Sequence, residues 1–215
     1  MHSQMNRDLI LRAVAHQHPE DWVSQMNSAQ LTRPRTRPTE LPESDREAAV
    51  MLLISPDSDS QSLNFVLTRR KDNLQHHPGQ ISLPGGRRDP GETIQETAFR
   101  EVKEEIGVAP DTVEIFGPLN SIYVPPSDFT VAPFVGWLST KSDFDIQAEE
   151  VDELILVPIA QLLDPSRRKF SSVASDTNER DVPWLALQGH QVWGATAIIL
   201  DDFSQRLQRE LSNER

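Results

Sequence analysis

The apolar residues of this chain occur as short continuous runs and as stripes at helical spacing. Short runs bounded by polar or proline-containing turns predict β-strands. The predicted strands are Arg46–Ser55, Leu63–Arg69, Gly79–Leu83, Val113–Ile122, Phe129–Leu138, Leu154–Val157, Lys169–Val173 and Pro183–Leu187. Apolar positions three or four residues apart predict helices. The predicted helices are Asn6–Gln17, the stretch between Thr93 and Gly107, Ile159–Leu163 and Gly194–Leu211. This order predicts an α/β fold with a mixed sheet between helices.

Prolines separate an N-terminal extension from the rest of the chain. The segment from Asn27 to Asp45 is polar and contains three prolines, a composition typical of an extended connector. Residues 1–45 are therefore predicted to form an N-terminal helix and a proline-containing extension. Residues 46–215 are predicted to form one domain that includes the C-terminal helix, in which Trp193 is expected to pack in the core. The extension could cross to a second subunit, so a homodimer is a further prediction.

Composition restricts the classes of partner. The 215 residues carry 33 acidic and 21 basic side chains, a formal net charge of −12, which argues against a broad surface for nucleic acid. The absence of cysteine excludes disulfides, thiolate metal sites and a cysteine nucleophile. The apolar runs are far shorter than the ~20 residues of a membrane-spanning helix, and the N-terminus lacks the apolar stretch of a secretory signal. We therefore expect a cytoplasmic protein with no nucleic-acid or membrane partner.

Three glutamates share one face of the long central helix. The helix predicted between Thr93 and Gly107 begins with a capping box and ends at a glycine. Glu101, Glu104 and Glu105 stand at positions i, i+3 and i+4, beside an apolar stripe. Like charges at this spacing repel one another, and a solvated acidic face is one interpretation. A cluster of oxygen ligands also suits Mg²⁺ or Mn²⁺, either of which would relieve the repulsion.

The residues around this helix match a longer pattern. With U for a bulky aliphatic residue, Gly86 to Val108 match G-x5-E-x7-R-E-U-x-E-E-x-G-U at every fixed position, including Glu92 and Arg100. This pattern resembles the Nudix box. The resemblance implies a Nudix-type α/β/α sandwich with a mixed β-sheet. It also implies an enzyme, a divalent-metal-dependent hydrolase that cleaves diphosphate linkages.

The resemblance further implies roles for individual residues. The expected ligands of a Mg²⁺ or Mn²⁺ cofactor are three carboxylates and one main-chain carbonyl, those of Glu101, Glu104, Glu105 and Gly86. Arg100 is expected to orient the glutamates through charge-assisted hydrogen bonds. A carboxylate is expected to take the proton of the attacking water. Glu101 and Glu150 are both candidates for that base.

A second motif precedes the box, between Val66 and Gly86. It resembles the extra motif of the coenzyme A pyrophosphatase branch of Nudix enzymes, roughly LLTxR, LRxHxGQ and FPGG in that order. The side chains expected to contact the substrate are Arg70, His77 and Gln80. For His77 the alternative is a hydrogen bond to its own loop. Gln75 departs from the motif, which has arginine there, and a neutral amide cannot offer a phosphate the same charge.

The expected substrate is a small-molecule nucleotide, a nucleoside diphosphate joined to another group. Coenzyme A or one of its derivatives is the leading candidate. ADP-ribose, a dinucleotide or another nucleotide derivative stays open, because the box specifies the chemistry but not the leaving group. A non-catalytic nucleotide-sensing module on the same fold is the alternative from another class of protein. Loss of a box carboxylate would favour that alternative, and none is lost here.

Overall fold

A mixed β-sheet with helices on both faces organises the chain. The computed structural model describes residues 5–15, 46–57, 62–72, 79–125, 127–139, 143–174 and 179–214. The helices are α1 (Arg7–Ala15), α2 (Ile94–Ile106), α3 (Ile159–Leu163) and α4 (Gly194–Asn213). The strands are β1 (Glu47–Pro56), β2 (Leu63–Arg70), β3 (Ile81–Ser82), β4 (Gly85–Arg87), β5 (Val113–Pro118), β6 (Ile122–Val124), β7 (Phe129–Leu138), β8 (Val151–Pro158), β9 (Arg168–Ala174), β10 (Glu179–Leu187) and β11 (His190–Val192). Within these ranges no helix is long and apolar enough to cross a membrane.

β1 is the centre of the main sheet. It pairs in parallel with β7, from Glu47 opposite Thr130 to Ile54 opposite Trp137. It is antiparallel to β2, where Ile54 lies opposite Phe65, and to β4. Strands β8, β5 and β6 extend the sheet through antiparallel pairs, and β9, β10 and β11 form a separate three-stranded sheet. The parallel pair among antiparallel neighbours makes the main sheet mixed, as predicted.

The two faces of β1 belong to two hydrophobic cores, because successive side chains of a strand point to opposite faces. Met51 and Leu53 lie in one core together with the apolar stripe of α2. That stripe consists of Ala98, Val102 and Ile106. Leu52 and Ile54 lie in the other core, which also contains buried apolar residues of α1, α3 and α4. The predicted α/β/α sandwich is therefore confirmed.

The N-terminal helix α1 is part of the second core and packs against α4. Its buried residues are Leu9, Ile10, Ala13 and Val14. Arg206 of α4 is buried beside Asp202 and donates a hydrogen bond from Nη1 to the carbonyl oxygen of Val14, at 3.3 Å. The predicted helix is confirmed over its described part, while residues 16–45 lie outside the described ranges. The division of the chain at residue 46 and the homodimer stay predictions.

Two predicted strands are shortened or divided in the structure, and two short strands were not predicted. Only Ile81–Ser82 of the strand predicted over Gly79–Leu83 pairs as a strand, and the unpredicted strand β4 follows it. The strand predicted over Val113–Ile122 is two strands, β5 and β6. The chain leaves the sheet between them, where the backbone N–H of Asn120 donates to Asp202 of α4 at 3.4 Å. β11 was not predicted, because three residues give too little pattern.

The prediction that Trp193 packs in the core is wrong. Its relative exposure is 47%, whereas the preceding Val192 is fully buried. The backbone at Trp193 is extended, with φ −139° and ψ 179°. Adjacent side chains of an extended segment point to opposite sides, so burial of Val192 turns the indole towards solvent.

Candidate active site

Local interactions define both ends of α2, the helix that carries the three glutamates. At the start, Thr93 Oγ1 accepts from the backbone N–H of Glu96 at 3.2 Å, and a Glu96 carboxylate oxygen accepts from the backbone N–H of Thr93 at 2.7 Å. This is the predicted capping box. At the end, Gly107 adopts φ 71° and its N–H donates to the carbonyl of Lys103 at 3.0 Å. Both predicted ends are confirmed.

Gly107 also lets a second segment approach the end of α2. A Cβ atom at Gly107 would lie 2.7 Å from the Cβ of Asp145, so only glycine fits at this distance. The N–H of Gln147 donates to the carbonyl of Glu105 at 2.9 Å, and the N–H of Glu150 donates to the carbonyl of Gln147 at 3.1 Å. This turn ties Glu150 to the helix turn that carries Glu105.

Arg100 is the centre of the charged network on α2. Its Nε donates to Glu92 Oε1 at 2.7 Å, and its Nη1 donates to Glu101 Oε1 at 2.8 Å and to Glu104 Oε2 at 2.9 Å. Its Nη2 donates to the carbonyl of Arg87 at 2.9 Å. The hydrogen bond from Arg100 is the main reason that the pKa of Glu92 falls from its ordinary 4.5 to about 2. Arg100 therefore binds two of the three glutamates, Glu101 and Glu104, directly, and its orienting role stays a prediction.

Glu105 is the most buried of the three glutamates, with 4% of its side chain exposed against 58% for Glu104. The backbone N–H of Gly85 donates to its Oε2 at 3.3 Å, and Arg70 Nη1 lies 3.6 Å from its Oε1. Burial, followed by the charge of Glu101, raises the pKa of Glu105 to about 8. The favourable charge of Arg70 only partly opposes this rise. The ionised form of Glu105 therefore has too little positive charge nearby to offset its burial.

Glu101 lies beside Glu105 and against the glycine strand β4. Its side chain is 13% exposed, and burial is the main cause of its raised pKa. Gly86 pairs with Ala49 of β1, and a Cβ atom at Gly86 would lie 2.5 Å from Glu101 Oε1. The absence of a side chain at Gly86 therefore lets the Glu101 carboxylate reach the main chain of β4. This arrangement brings Gly86, Glu101 and Glu105 together.

The remaining predicted residues lie around this group where the structure describes them. The charge of Glu150 contributes to the raised pKa values of Glu101 and Glu105, so its carboxylate is near both. The backbone carbonyl of Gln80 accepts a hydrogen bond from the backbone N–H of Arg70 at 3.0 Å. This contact brings Gln80 next to Arg70, at the edge of the site. His77 and Gln75 lie outside the described residues.

The carboxylate and carbonyl oxygens of this site suit a hard divalent cation, although they do not surround a common point. Carboxylate and carbonyl oxygens are the ligands that Mg²⁺ and Mn²⁺ prefer. A cation would also stabilise the ionised form of buried Glu105. Within the described part of the chain, however, no three His, Asp or Glu side chains converge closely enough to hold an ion. The hydrogen bonds of Arg100 explain this, because they hold Glu101 and Glu104 on the guanidinium group.

Comparisons with known proteins agree with the fold and the box. The NUDIX domain model matches residues 45–175. Nudix hydrolase 3 of Caenorhabditis elegans is 34% identical over 174 residues, covering 74% of this chain and 72% of that protein. The Nudix hydrolase NudL of Photorhabdus laumondii is 32% identical over 175 residues, covering 80% of this chain and 90% of that protein.

Solved structures show the same fold at lower sequence identity. The MutT protein of Methanosarcina mazei Go1 has a TM-score of 0.50 and 21% identity, covering 82% of this chain and all of that one. A MutT/nudix family protein of Enterococcus faecalis has a TM-score of 0.52 and 14% identity, covering 97% of this chain and 75% of that one. At these identities the likeness concerns the fold alone. With the domain match and the two relatives, however, the family is clear: this chain belongs to the Nudix hydrolases.

Proposed function

We propose that this Nudix hydrolase cleaves the diphosphate linkage of a nucleoside diphosphate derivative with the help of Mg²⁺ or Mn²⁺. The observation that carries the proposal is the burial of Glu105 beside Glu101. Two carboxyl groups with raised pKa values lie against the glycine strand, and such perturbed groups cluster at functional sites. A cation near them would supply positive charge that the site lacks, and a phosphate could pair with that cation and with Arg70.

The metal would be held by oxygen atoms from two elements. Its proposed ligands are the carboxylates of Glu101, Glu104 and Glu105 on α2 and the carbonyl of Gly86 on β4. When bound, such an ion neutralises phosphate charge and lowers the pKa of a coordinated water. Glu104, exposed at the surface, is the carboxylate that can leave Arg100 with the smallest loss of packing. Arg100 then keeps its contacts with Glu92 and the Arg87 carbonyl, which fix the helix relative to β4.

The substrate phosphates are proposed to contact the edge of β2. Arg70 ends that strand with 27% of its side chain exposed, so its guanidinium can bind an incoming oxygen while it faces Glu105. Gln80 lies next to the Arg70 main chain and is proposed as a second contact. His77 completes the proposed set by its position in the motif. A planar guanidinium suits this role because it can donate two parallel hydrogen bonds to a phosphate.

The general base is proposed to be Glu101 or Glu150. Glu101 lies beside the proposed ligands on α2, whereas Glu150 comes from the segment that faces them. The hydrogen-bonded turn from Gln147 to Glu150 holds the second candidate near Glu105. Either carboxylate can accept a proton from a water only if that water lies within hydrogen-bond reach.

Coenzyme A and its derivatives are the first proposed substrates. The support is the motif that contains Arg70, His77 and Gln80, and Gln75 is the position that departs from it. A screen with Mg²⁺ and with Mn²⁺ should therefore compare coenzyme A and acyl-coenzyme A with ADP-ribose, NADH and dinucleotides. Identification of the products shows which bond is cleaved. A protein that binds a nucleotide without releasing any product would be the non-catalytic sensor instead.

The metal site is tested with the double variant Glu104→Gln plus Glu105→Gln. Loss of groups that merely support metal ligands typically lowers metal affinity or activity by about 10- to 100-fold. Loss of two ligands should therefore lower kcat by at least about 100-fold. The matched control is Asp111→Asn plus Asp143→Asn, which removes the same charge from two exposed positions outside the site. We expect wild-type activity from the control. Wild-type activity from the glutamate variant in Mg²⁺ would show that the ligands are assigned wrongly.

A further inference from the structure

A β-bulge interrupts the pairing of β2 with β8 at the edge of the proposed site. Arg69 lies opposite Glu153, but the next residue, Arg70, lies opposite Val151. Asp152 therefore has no partner residue on β2. Bulges of this kind occur next to active sites, where the extra residue re-aims the side chains that follow it.

The side chain of Arg69 binds the extra residue of the bulge. Its Nη1 donates a hydrogen bond to Asp152 Oδ2. Its Nη2 donates to both carboxylate oxygens of Asp72, at 2.9 and 3.0 Å. The guanidinium group thus joins the bulge on β8 to the end of β2. Arg69 is not a fixed position of the motif that contains Arg70.

The bulge lies next to a backbone contact with Glu150. Immediately beyond it, the N–H of Lys71 donates to the carbonyl of Glu150 at 3.1 Å. If the two strands paired without the extra residue, Glu150 would move by one residue along the strand, about 3.3 Å. A shift of one residue also turns each side chain to the other face of the sheet. Glu150, whose charge adds to the raised pKa values of Glu101 and Glu105, would then be displaced from its present position.

We propose that Arg69 is a positioning residue, which holds the Asp152 bulge and thereby keeps the Glu150 carboxylate at the catalytic centre. This inference rests on the proposed function and assigns Glu150 a role in the hydrolytic step. Arg70 points to Glu105 and is proposed to contact the substrate, whereas Arg69 acts through the backbone of β8. Two consecutive arginines thus have different tasks.

The test combines kinetics with hydrogen exchange on the full chain. Arg69→Met keeps an unbranched apolar side chain but removes both ion pairs. We expect kcat on the best substrate to fall by about 10- to 100-fold, because displacement of a catalytic group by about 1 Å can lower the reaction rate about 100-fold. KM should stay within about twofold, because no substrate contact is lost. The Lys71 amide should exchange at least about tenfold faster, while the amides of Phe65 and Val66 keep their rates.

Three further variants separate positioning from other effects. In a Glu150→Gln background, adding Arg69→Met should lower kcat by a further factor of less than about two. The reason is that both changes remove the same contribution of Glu150 to kcat. Arg69→Lys should recover part of kcat, since an ammonium group can pair with Asp152 but cannot bind both partners in the same way. Arg167→Met is the matched control, because Arg167 pairs with Asp164 at a distant turn. It should leave both kcat and Lys71 exchange unchanged.

Each outcome decides the inference. Unchanged exchange at Lys71 in Arg69→Met would show that Arg69 does not hold the bulge. An equal fall of kcat in the Glu150→Gln background would show that Arg69 acts independently of Glu150. Wild-type kcat in Glu150→Gln alone would refute the positioning role, yet the metal-dependent hydrolysis would stand if the Glu104 and Glu105 variant is inactive. An active Glu104 and Glu105 variant would instead refute the metal assignment, whatever Arg69 does.

Discussion

Replacing Glu105 with glutamine should stabilise the metal-free protein at neutral pH. The pKa of Glu105 rises from 4.5 to about 8 on folding, mainly through burial. The folded protein therefore retains this proton after the unfolded chain has lost it. Such a group contributes its full stability below about pH 4.5, and the contribution is lost as the pH rises towards 8. Glutamine mimics the protonated form at every pH and can still accept the hydrogen bond from Gly85.

The size of the effect follows from the pKa shift. In the unfolded chain, pH 7 is about 2.5 units above the pKa of this carboxyl group, so the group is ionised. In the folded protein the same group is still mostly protonated at pH 7. Each unit corresponds to about 1.4 kcal/mol, so the metal-free wild type should be less stable at pH 7 than at pH 4 by about 3 kcal/mol through this group alone. Glu105→Gln removes that loss. The free energy of unfolding of the variant should exceed that of the wild type by roughly 2–3 kcal/mol at pH 7.

Urea unfolding between pH 4 and pH 8 in EDTA measures this difference. The matched control is Glu104→Gln, which changes an exposed carboxylate on the same helix and should stay within about 1 kcal/mol of wild type at each pH. Adding Mn²⁺ should narrow the gap, because about 100 Kd of a bound ion stabilises the wild type by about 2.7 kcal/mol and the variant by less. A Glu105→Gln variant less stable than wild type in EDTA at pH 7, or a gap that does not grow with pH, would refute the reasoning.

Two other predictions concern ion pairs on opposite sides of the sheet. Folding lowers the pKa of Glu92 from 4.5 to about 2, chiefly through Arg100, so its stabilisation is present above about pH 4.5 and is lost as the pH falls towards 2. The difference in Tm between wild type and Glu92→Gln should therefore shrink between pH 5 and pH 2, and a constant difference would contradict this. Arg206→Met removes the guanidinium that faces buried Asp202 and binds the Val14 carbonyl. It should cost about 3–5 kcal/mol in urea unfolding, whereas Arg167→Met, which removes a partly exposed ion pair with Asp164, should cost less than about 1 kcal/mol.

Features specified by neighbouring residues could be predicted from the sequence. The capping box of Thr93 and Glu96 and the glycine end at Gly107 need only local contacts, and both are present. The strand over Phe129–Leu138 was predicted with the bounds it has, because a long apolar run between turns has few alternatives. β4 could not be predicted, since Gly85 and Gly86 have no strand preference and become a strand only by pairing with β1.

The sequence placed three carboxylates on one face of α2 but did not distinguish their environments. Glu105 is nearly buried and Glu104 is exposed, although the two residues are adjacent. The difference comes from tertiary contacts, since Gly85 and Arg70 approach α2 on the side of Glu105. The bulge at Asp152 was also beyond the sequence, because it exists only in the register between β2 and β8. Residues that pair across distant strands leave no local pattern.

The charge balance of the site favours a catalytic role over a structural one. Around Arg100 and Arg70 lie five carboxyl groups, those of Glu92, Glu101, Glu104, Glu105 and Glu150. Burial is the main cause of the raised pKa values of Glu101 and Glu105, and neighbouring carboxylates add to it because two guanidinium groups cannot neutralise five carboxylates. An apolar residue in place of Glu105 would pack in the same space without that cost. A divalent cation supplies the missing positive charge with the ligand geometry that carboxylates provide. The destabilised carboxyl groups therefore support the proposal that Glu101 and Glu105 bind a divalent cation.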